Sequence, residues 1–235
     1  EEQKEKYVVP LAKGEHLGAF GLTEPNAGSD SAAQQTKAED MGDYWLLNGA
    51  KVFITNGAYA DTFMCLAMTD KSKGNHGISA FIIEKGDEGF SIGKTEDKLG
   101  IRASSTTELI FQNCKKDRLL GELNGGFKVA MATLEGGRIG IAAQAVGVAQ
   151  GAFDLTVEYM KQRKQFGKKL SQFQYLAFEM AEMKTKIHAS RLLVYEAACL
   201  KDAHKPHAVN SAMAKYYAAD TAMQTAVKCV QFHGG

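Results

Sequence analysis

From Leu17 to about Leu123 the apolar residues fall in short runs broken by Gly, Asp, Asn and Lys, the pattern of β-strands. Thr62–Thr69, Gly77–Glu84 and Thr106–Gln112 each read as one strand. Within Trp45–Thr55, Asn48-Gly49 separates two strand-like runs and predicts a tight hairpin. Short strands spaced in this way predict an antiparallel barrel or sandwich. Past Gly126 the period changes to that of helices. One stripe takes Met131, Leu134, Ile141, Ala145, Val148, Leu155 and Tyr159, a second Leu176, Met180, Met183, Ile187 and Val194, and a third Val209, Met213, Tyr216, Met223, Val227 and Val230. These predict three long amphipathic helices packed antiparallel through short connections. The glycines at 140 and 147 cost roughly 1 kcal/mol each in a helix interior, so close helix contact is expected to demand them. The fold class is therefore α+β and multidomain, a β-barrel or sandwich followed by an antiparallel helical bundle, with the junction near Gly125–Gly126.

At 235 residues, 45% of them hydrophobic, the chain can bury a large core. Its 28 basic residues nearly balance 27 acidic ones, so no net field favours nucleic acid or an anionic membrane, and an anionic ligand has to be met locally. No apolar run approaches the roughly 20 residues that cross a bilayer. Cys65, Cys114, Cys199 and Cys229 lie far apart and read as reduced, buried thiols. His204 and His207 flank Pro206, which breaks a helix that would aim both at one metal, so no metal is assigned.

Four segments carry chemistry. Phe20–Asp30 is a strand end running into a turn rich in exposed N–H groups and hydroxyls, suited to a flat polar-edged ring or a phosphate, or simply a turn. Leu134-Glu135-Gly136-Gly137-Arg138 is a charged pair split by glycines early in a helix. Lys161–Lys169 holds five cations in nine residues at a helix end, where they complement the dipole in solvent or meet an anion. Gln231-Phe232-His233-Gly234-Gly235 reads as a helix reaching its glycine stop.

Taken together with Phe53-Ile54-Thr55-Asn56-Gly57, these segments resemble the acyl-CoA dehydrogenase family, most of all its short-chain, butyryl-type members. The resemblance runs through five separated motifs over essentially the whole chain. It implies FAD as cofactor, with Phe20, Leu22, Thr23, Phe53, Ile54 and Thr55 along the isoalloxazine, and Ser29 near the flavin phosphates or the acyl thioester. Phe53 stands where many members have Trp. Arg163, in the Arg-x-x-Phe-Gly signature, then contacts the flavin diphosphate, Phe166 packs on the cofactor, and Gln174 contacts adenine. Gln231 and Gly235 belong to a signature that reaches the flavin of a neighbouring subunit, and Glu135 and Arg138 grip the adenine end of coenzyme A.

The implied reaction is α,β-dehydrogenation of a short-chain acyl-CoA to the trans-2-enoyl-CoA, with electrons passed to an electron-transfer flavoprotein. A homo-oligomer, tetramer or dimer, is implied, in bacterial cytoplasm or, in a eukaryote, the mitochondrial matrix. Some relatives carry the catalytic glutamate immediately before the Arg, where Gly137 stands here. The nearest ones carry it after the terminal Gly-Gly, so no base is assigned within the chain and one is expected beyond Gly235. Residues 1–16 read as the end of a preceding helical domain, 17–125 as the β domain and 126–235 as the helical domain, with apolar helix faces exposed where a fourth helix belongs. A non-enzymatic association module of the same fold, and an acyl-CoA oxidase, stand as alternatives.

Overall fold

The computed structural model describes residues 1–235, and its backbone divides into two compact units, Glu1–Met131 and Ala132–Gly235.

The first unit is built on one eight-stranded sheet. Its strands are β1 (Gly18–Gly21), β2 (Lys37–Asp40), β3 (Trp45–Thr55), β4 (Thr62–Met68), β5 (Ile78–Glu84), β6 (Phe90–Thr95), β7 (Thr106–Lys116) and β8 (Leu119–Leu120). They run in the order β6-β7-β3-β2-β4-β5-β8, with β1 laid parallel on β4. Because β6 and β8 stand at opposite ends of this path, the sheet does not close, and the barrel half of the expectation gives way to the sandwich half. The two wings meet through aromatic side chains: Phe63 of β4 packs edge-on against Phe90 of β6 at 4.9 Å, and Trp45 of β3 against Phe81 of β5 at 5.9 Å. Leu47, Leu109 and Ile83 fill the space between, all fully buried. A single helical turn at Lys4–Val8 runs into α1 (Val9–Lys13), and the buried Tyr7 pins this segment to the sheet by donating from its hydroxyl to Glu84 at 2.6 Å.

Asn48-Gly49 makes no hairpin. β3 passes straight through it as an 11-residue strand paired with β7. Gly49 has φ 149°, and a Cβ there would lie 2.7 Å from the Thr36 Cα, so the glycine answers to close approach by the neighbouring backbone. Asn48 instead accepts from the Asn113 N–H at 2.8 Å across a bulge in β7.

In the second unit three long helices, α2 (Gly126–Gln162, begun in the first unit), α3 (Gln174–Asp202) and α4 (Ala208–His233), pack with α3 antiparallel to both others. The α3 stripe is buried largely as predicted, at Met180, Met183, Ile187 and Val194. On α4 the packed face is instead Ser211, Ala214, Ala218, Thr221, Thr225 and Cys229. The expected stripe from Val209 to Val230 is at least 48% exposed at every position. On α2 the core takes Ala142, Val146, Ala149, Phe153, Thr156 and Met160, while Ile141, Val148 and Leu155 face outward. Small side chains let the helix axes approach closely, so the small-residue face wins the contact within the chain. Gly140, Gly147 and Gly151 have no neighbour within 4 Å of a Cβ position, and no packing explains them. No helix is long and apolar enough to cross a membrane. Cys65, Cys114 and Cys229 are buried as expected, with burial pushing the Cys65 thiol up to about 12, whereas Cys199 is exposed.

Candidate functional site

In the first unit the two stretches singled out in the sequence lie side by side, and a fault in β3 joins them. Lys51 pairs with Leu109 and Ile54 with Thr107, so β3 carries one residue more than β7 between these points. The extra residue makes a β-bulge at Val52-Phe53. It freezes Phe53 at φ 60°, a left-handed conformation rare for an aromatic, and turns its ring out to 63% exposure. The bulge frees the Val52 N–H, which donates to the Thr23 carbonyl at 2.9 Å. Thr23, two residues past the end of β1, is thereby held against the bulged part of β3 that carries Phe53. At the end of β3, Thr55 is exposed, and Asn56 ties the turn back to the Gly18 carbonyl at 3.1 Å. Gly57 has to lack a side chain because a Cβ would collide with Thr107 Oγ1.

Beneath this surface lies a charge cluster that neither stripe counting nor motif reading singled out. Lys51 Nζ is fully buried and spends its three N–H donors on the Leu22 carbonyl (3.2 Å), Glu24 Oε1 (2.7 Å) and Gln34 Oε1 (2.8 Å). Glu24 also accepts from the backbone N–H of Gln35 at 2.6 Å and of Thr36 at 3.2 Å. Burial would raise the Glu24 carboxyl, but the Lys51 ammonium and the hydrogen bonds from Gln35 and Thr36 together outweigh it and hold the group below its ordinary value. Removing one member of such a pair leaves an uncompensated buried charge and costs about 3–5 kcal/mol. The signal open to sequence reading was a lysine at a strand position with apolar neighbours on both sides. The turn closed by this cluster presents Pro25, Asn26, Gly28, Ser29 and Asp30 to solvent.

The predicted residues divide by what they can offer a ligand. The hydroxyls of Thr23, Ser29 and Thr55 have no partner within the chain, and Phe20 is half-buried. Leu22 and Ile54 are buried at 8% and 2%, so they can serve a ligand only through their backbone. With an exposed aromatic ring and unspent hydroxyls on the segment after β1 and at the end of β3, this surface suits a planar ring with polar edges.

In the second unit α2 stops at Gln162, and a two-residue hairpin follows between β9 (Lys164–Gln165) and β10 (Lys168–Lys169). Its turn residues Phe166 (φ 50°) and Gly167 (φ 77°) are both left-handed, the geometry that matches strand twist. Phe166 is 92% exposed. Arg163 lies on the rim of a cleft of about 660 Å³ together with Gln231, Tyr175, His233 and the Lys228–Glu179 ion pair. The Arg163 guanidinium makes no ion pair, and the cleft joins two motifs, at Arg163 and Gln231, that are far apart in sequence. His233 stacks on Tyr159 at 4.2 Å, and Gly234, at φ 96°, ends α4 with its N–H on the Gln231 carbonyl. An unpaired planar cation beside amide groups fits phosphate oxygens. Gln174 is exposed at the first turn of α3, outside the cleft lining. Glu135 and Arg138 are half-buried on α2, and between them in sequence Gly136 is met by α3, the Lys201 Nζ lying 2.9 Å from where a Cβ on residue 136 would stand.

Two carboxylates that could pass for a base are spoken for. Glu24 is committed to Lys51. Burial would raise Glu84, but Lys6, Tyr7 and Arg118 outweigh it and hold the carboxyl at about 2, too acidic to take a proton near neutrality.

A sheet unit whose surface suits a planar ring is thus followed by an antiparallel helical unit whose cleft suits phosphate oxygens. The family descriptions "Acyl-CoA dehydrogenase, middle domain" and "Acyl-CoA dehydrogenase, C-terminal domain" match residues 19–114 and 124–235. The chain is 60% identical throughout to the short-chain specific acyl-CoA dehydrogenase of Clostridium acetobutylicum, of which it covers 62%. It superposes on the butyryl-CoA dehydrogenase structure from Megasphaera elsdenii with a TM-score of 0.97 at 56% identity, covering all of this chain and 62% of that one. The Caffeyl-CoA reductase-Etf complex subunit CarC of Acetobacterium woodii is 49% identical, with 62% of its length covered. The chain belongs to the acyl-CoA dehydrogenase family, and it spans about three fifths of the length of these relatives.

Proposed function

We propose that the protein is a flavin-dependent dehydrogenase that converts a short-chain acyl-CoA to its trans-2-enoyl-CoA. The observation that carries the reading is the pairing of Thr23 with the Val52-Phe53 bulge, which lines up unspent hydroxyls and an exposed aromatic ring on one surface. Support for the class of substrate comes from 60% identity to a short-chain specific enzyme.

In this reading Thr23 and Thr55 hold the polar edges of the ring system, and Phe53 walls one side of it. In the second unit Arg163 meets a flavin diphosphate, Phe166 packs on a cofactor, Gln174 reaches an adenine, and Gln231 and Gly235 reach the flavin of a neighbouring subunit. Ser29 lies by the phosphates or the thioester, and Glu135 and Arg138 take the adenine end of coenzyme A. Bound there, FAD supplies the acceptor for the hydride that leaves the substrate β-carbon as the α-proton is removed. The proton acceptor is assigned to none of residues 1–235, since Glu24 and Glu84 are committed elsewhere and position 137 is Gly. Electrons pass to an electron-transfer flavoprotein, in keeping with the complex that the Acetobacterium relative's name describes. A homo-oligomer fits the outward-facing apolar stripes of α2 and α4, and the location proposed is the bacterial cytoplasm.

Adding butyryl-CoA to the flavin-loaded full-length protein is expected to bleach the oxidised flavin band. A spectrum unmoved by any short acyl-CoA would refute the reading, and hydrogen peroxide as the main product would redirect it to an oxidase. Arg163→Ala is expected to weaken flavin binding roughly 10- to 150-fold, the worth of a charge-assisted hydrogen bond. Equal flavin content in variant and parent after gel filtration would exclude that role.

A further inference from the structure

We propose that Lys51 is the positioning residue that aims the Thr23 N–H at the flavin, an inference that rests on the flavin reading above.

The argument starts from the planarity of the peptide group. In a trans peptide the C=O of one residue and the N–H of the next point in opposite directions. Lys51 Nζ pulls the Leu22 carbonyl inward at 3.2 Å, so the N–H of Thr23, in the same peptide plane, points away from the buried ammonium. No acceptor within the chain takes that N–H. The following peptide is fixed as well, because the Thr23 carbonyl receives the Val52 N–H and the Glu24 N–H donates to Ala27 at 3.0 Å. Both peptides flanking Thr23 are therefore oriented by bonds from residues 51 and 52.

The remaining Lys51 bonds close the turn at its base. Glu24 and Gln34 meet on the same ammonium, and the Glu24 carboxylate draws in the Gln35 and Thr36 N–H groups. Residues 22–36 thus leave and rejoin the sheet at one buried charge, and the turn bearing Ser29 is held from below. An apolar residue at position 51 could fill the volume. It could not orient the Leu22–Thr23 peptide, since only a donor reaches that carbonyl.

The test separates aiming from mere stability. Lys51→Met strands the Glu24 carboxylate and is expected to lower the melting temperature. Lys51→Met/Glu24→Gln removes both charges, and the melting temperature is expected to recover in large part. If Lys51 aims Thr23, the double variant still binds FAD at least tenfold more weakly than the parent, and the visible band of bound flavin changes shape. Ile83→Ala, a cavity in the core on β5, serves as a comparison with similar loss of melting temperature and is expected to bind FAD within twofold of the parent. All measurements use the full-length protein, reconstituted with FAD. Parent-like FAD affinity and spectrum in the double variant would overturn the inference, as would an equal loss of affinity in Ile83→Ala. A parent that takes up no FAD would overturn the flavin reading itself, and the inference with it.

Discussion

Glu84 keeps its charge against partial burial because the Tyr7 hydroxyl donates to it at 2.6 Å and two cations pair with it, Lys6 at 2.7 Å and Arg118 at 2.6 Å. A carboxyl held at about 2 in the folded protein, against an ordinary 4.5, contributes stability that is complete above the ordinary value. That contribution is lost as pH falls from 4.5 towards 2. Glu84→Gln should therefore lower the melting temperature at neutral pH and flatten its decline between about pH 5 and 2. Parallel melting curves for variant and parent across that range would rule this out. At this scale the sequence is legible only in part. Thr23, Thr55 and Arg163 can be picked out because their motifs recur in a family. Lys51 belongs to no pattern of exposed chemistry, and its meaning depends on Leu22, Glu24 and Gln34 folding over it.

Two glycine-containing dipeptides changed places between expectation and structure. Asn48-Gly49 has the composition of a hairpin turn, yet it lies within a continuous strand because the Thr36 backbone presses on Gly49. Phe166-Gly167 lacks that composition and forms the hairpin. Local preference was overridden in both, once by tertiary approach and once at a residue proposed to meet the cofactor. A bulky aromatic at φ 50° stores about 1–3 kcal/mol. Replacing Phe166 by Asn, which tolerates this backbone, should raise the melting temperature of the apoprotein and weaken FAD retention. Calorimetry and a flavin titration on the same preparation check the two effects, and a variant less stable than the parent would contradict the strain argument. The helix faces teach a related lesson. Periodicity located α2, α3 and α4, but on α2 and α4 hydrophobic size pointed to the face that looks outward, while Ala, Ser and Thr make the contacts.

Over the whole molecule, the change from short apolar runs broken by turn residues to stripes of helical period was enough to separate a sheet-built part from a helical part. Openness of the sheet could not be read in advance, because it depends on which strands stand at its ends, and β1 joins β4 through a parallel ladder that spacing does not announce. The buried Lys51 has one more consequence for the sheet unit. Residues 25–36 contain no strand, yet the amide hydrogens of Gln35 and Thr36 are locked onto a carboxylate that water does not reach. In deuterium oxide these two sites are expected to exchange as slowly as amides in the middle of β4, released only when the entire unit opens. Rapid labelling of either one would mean that the turn breathes independently of the sheet beneath it.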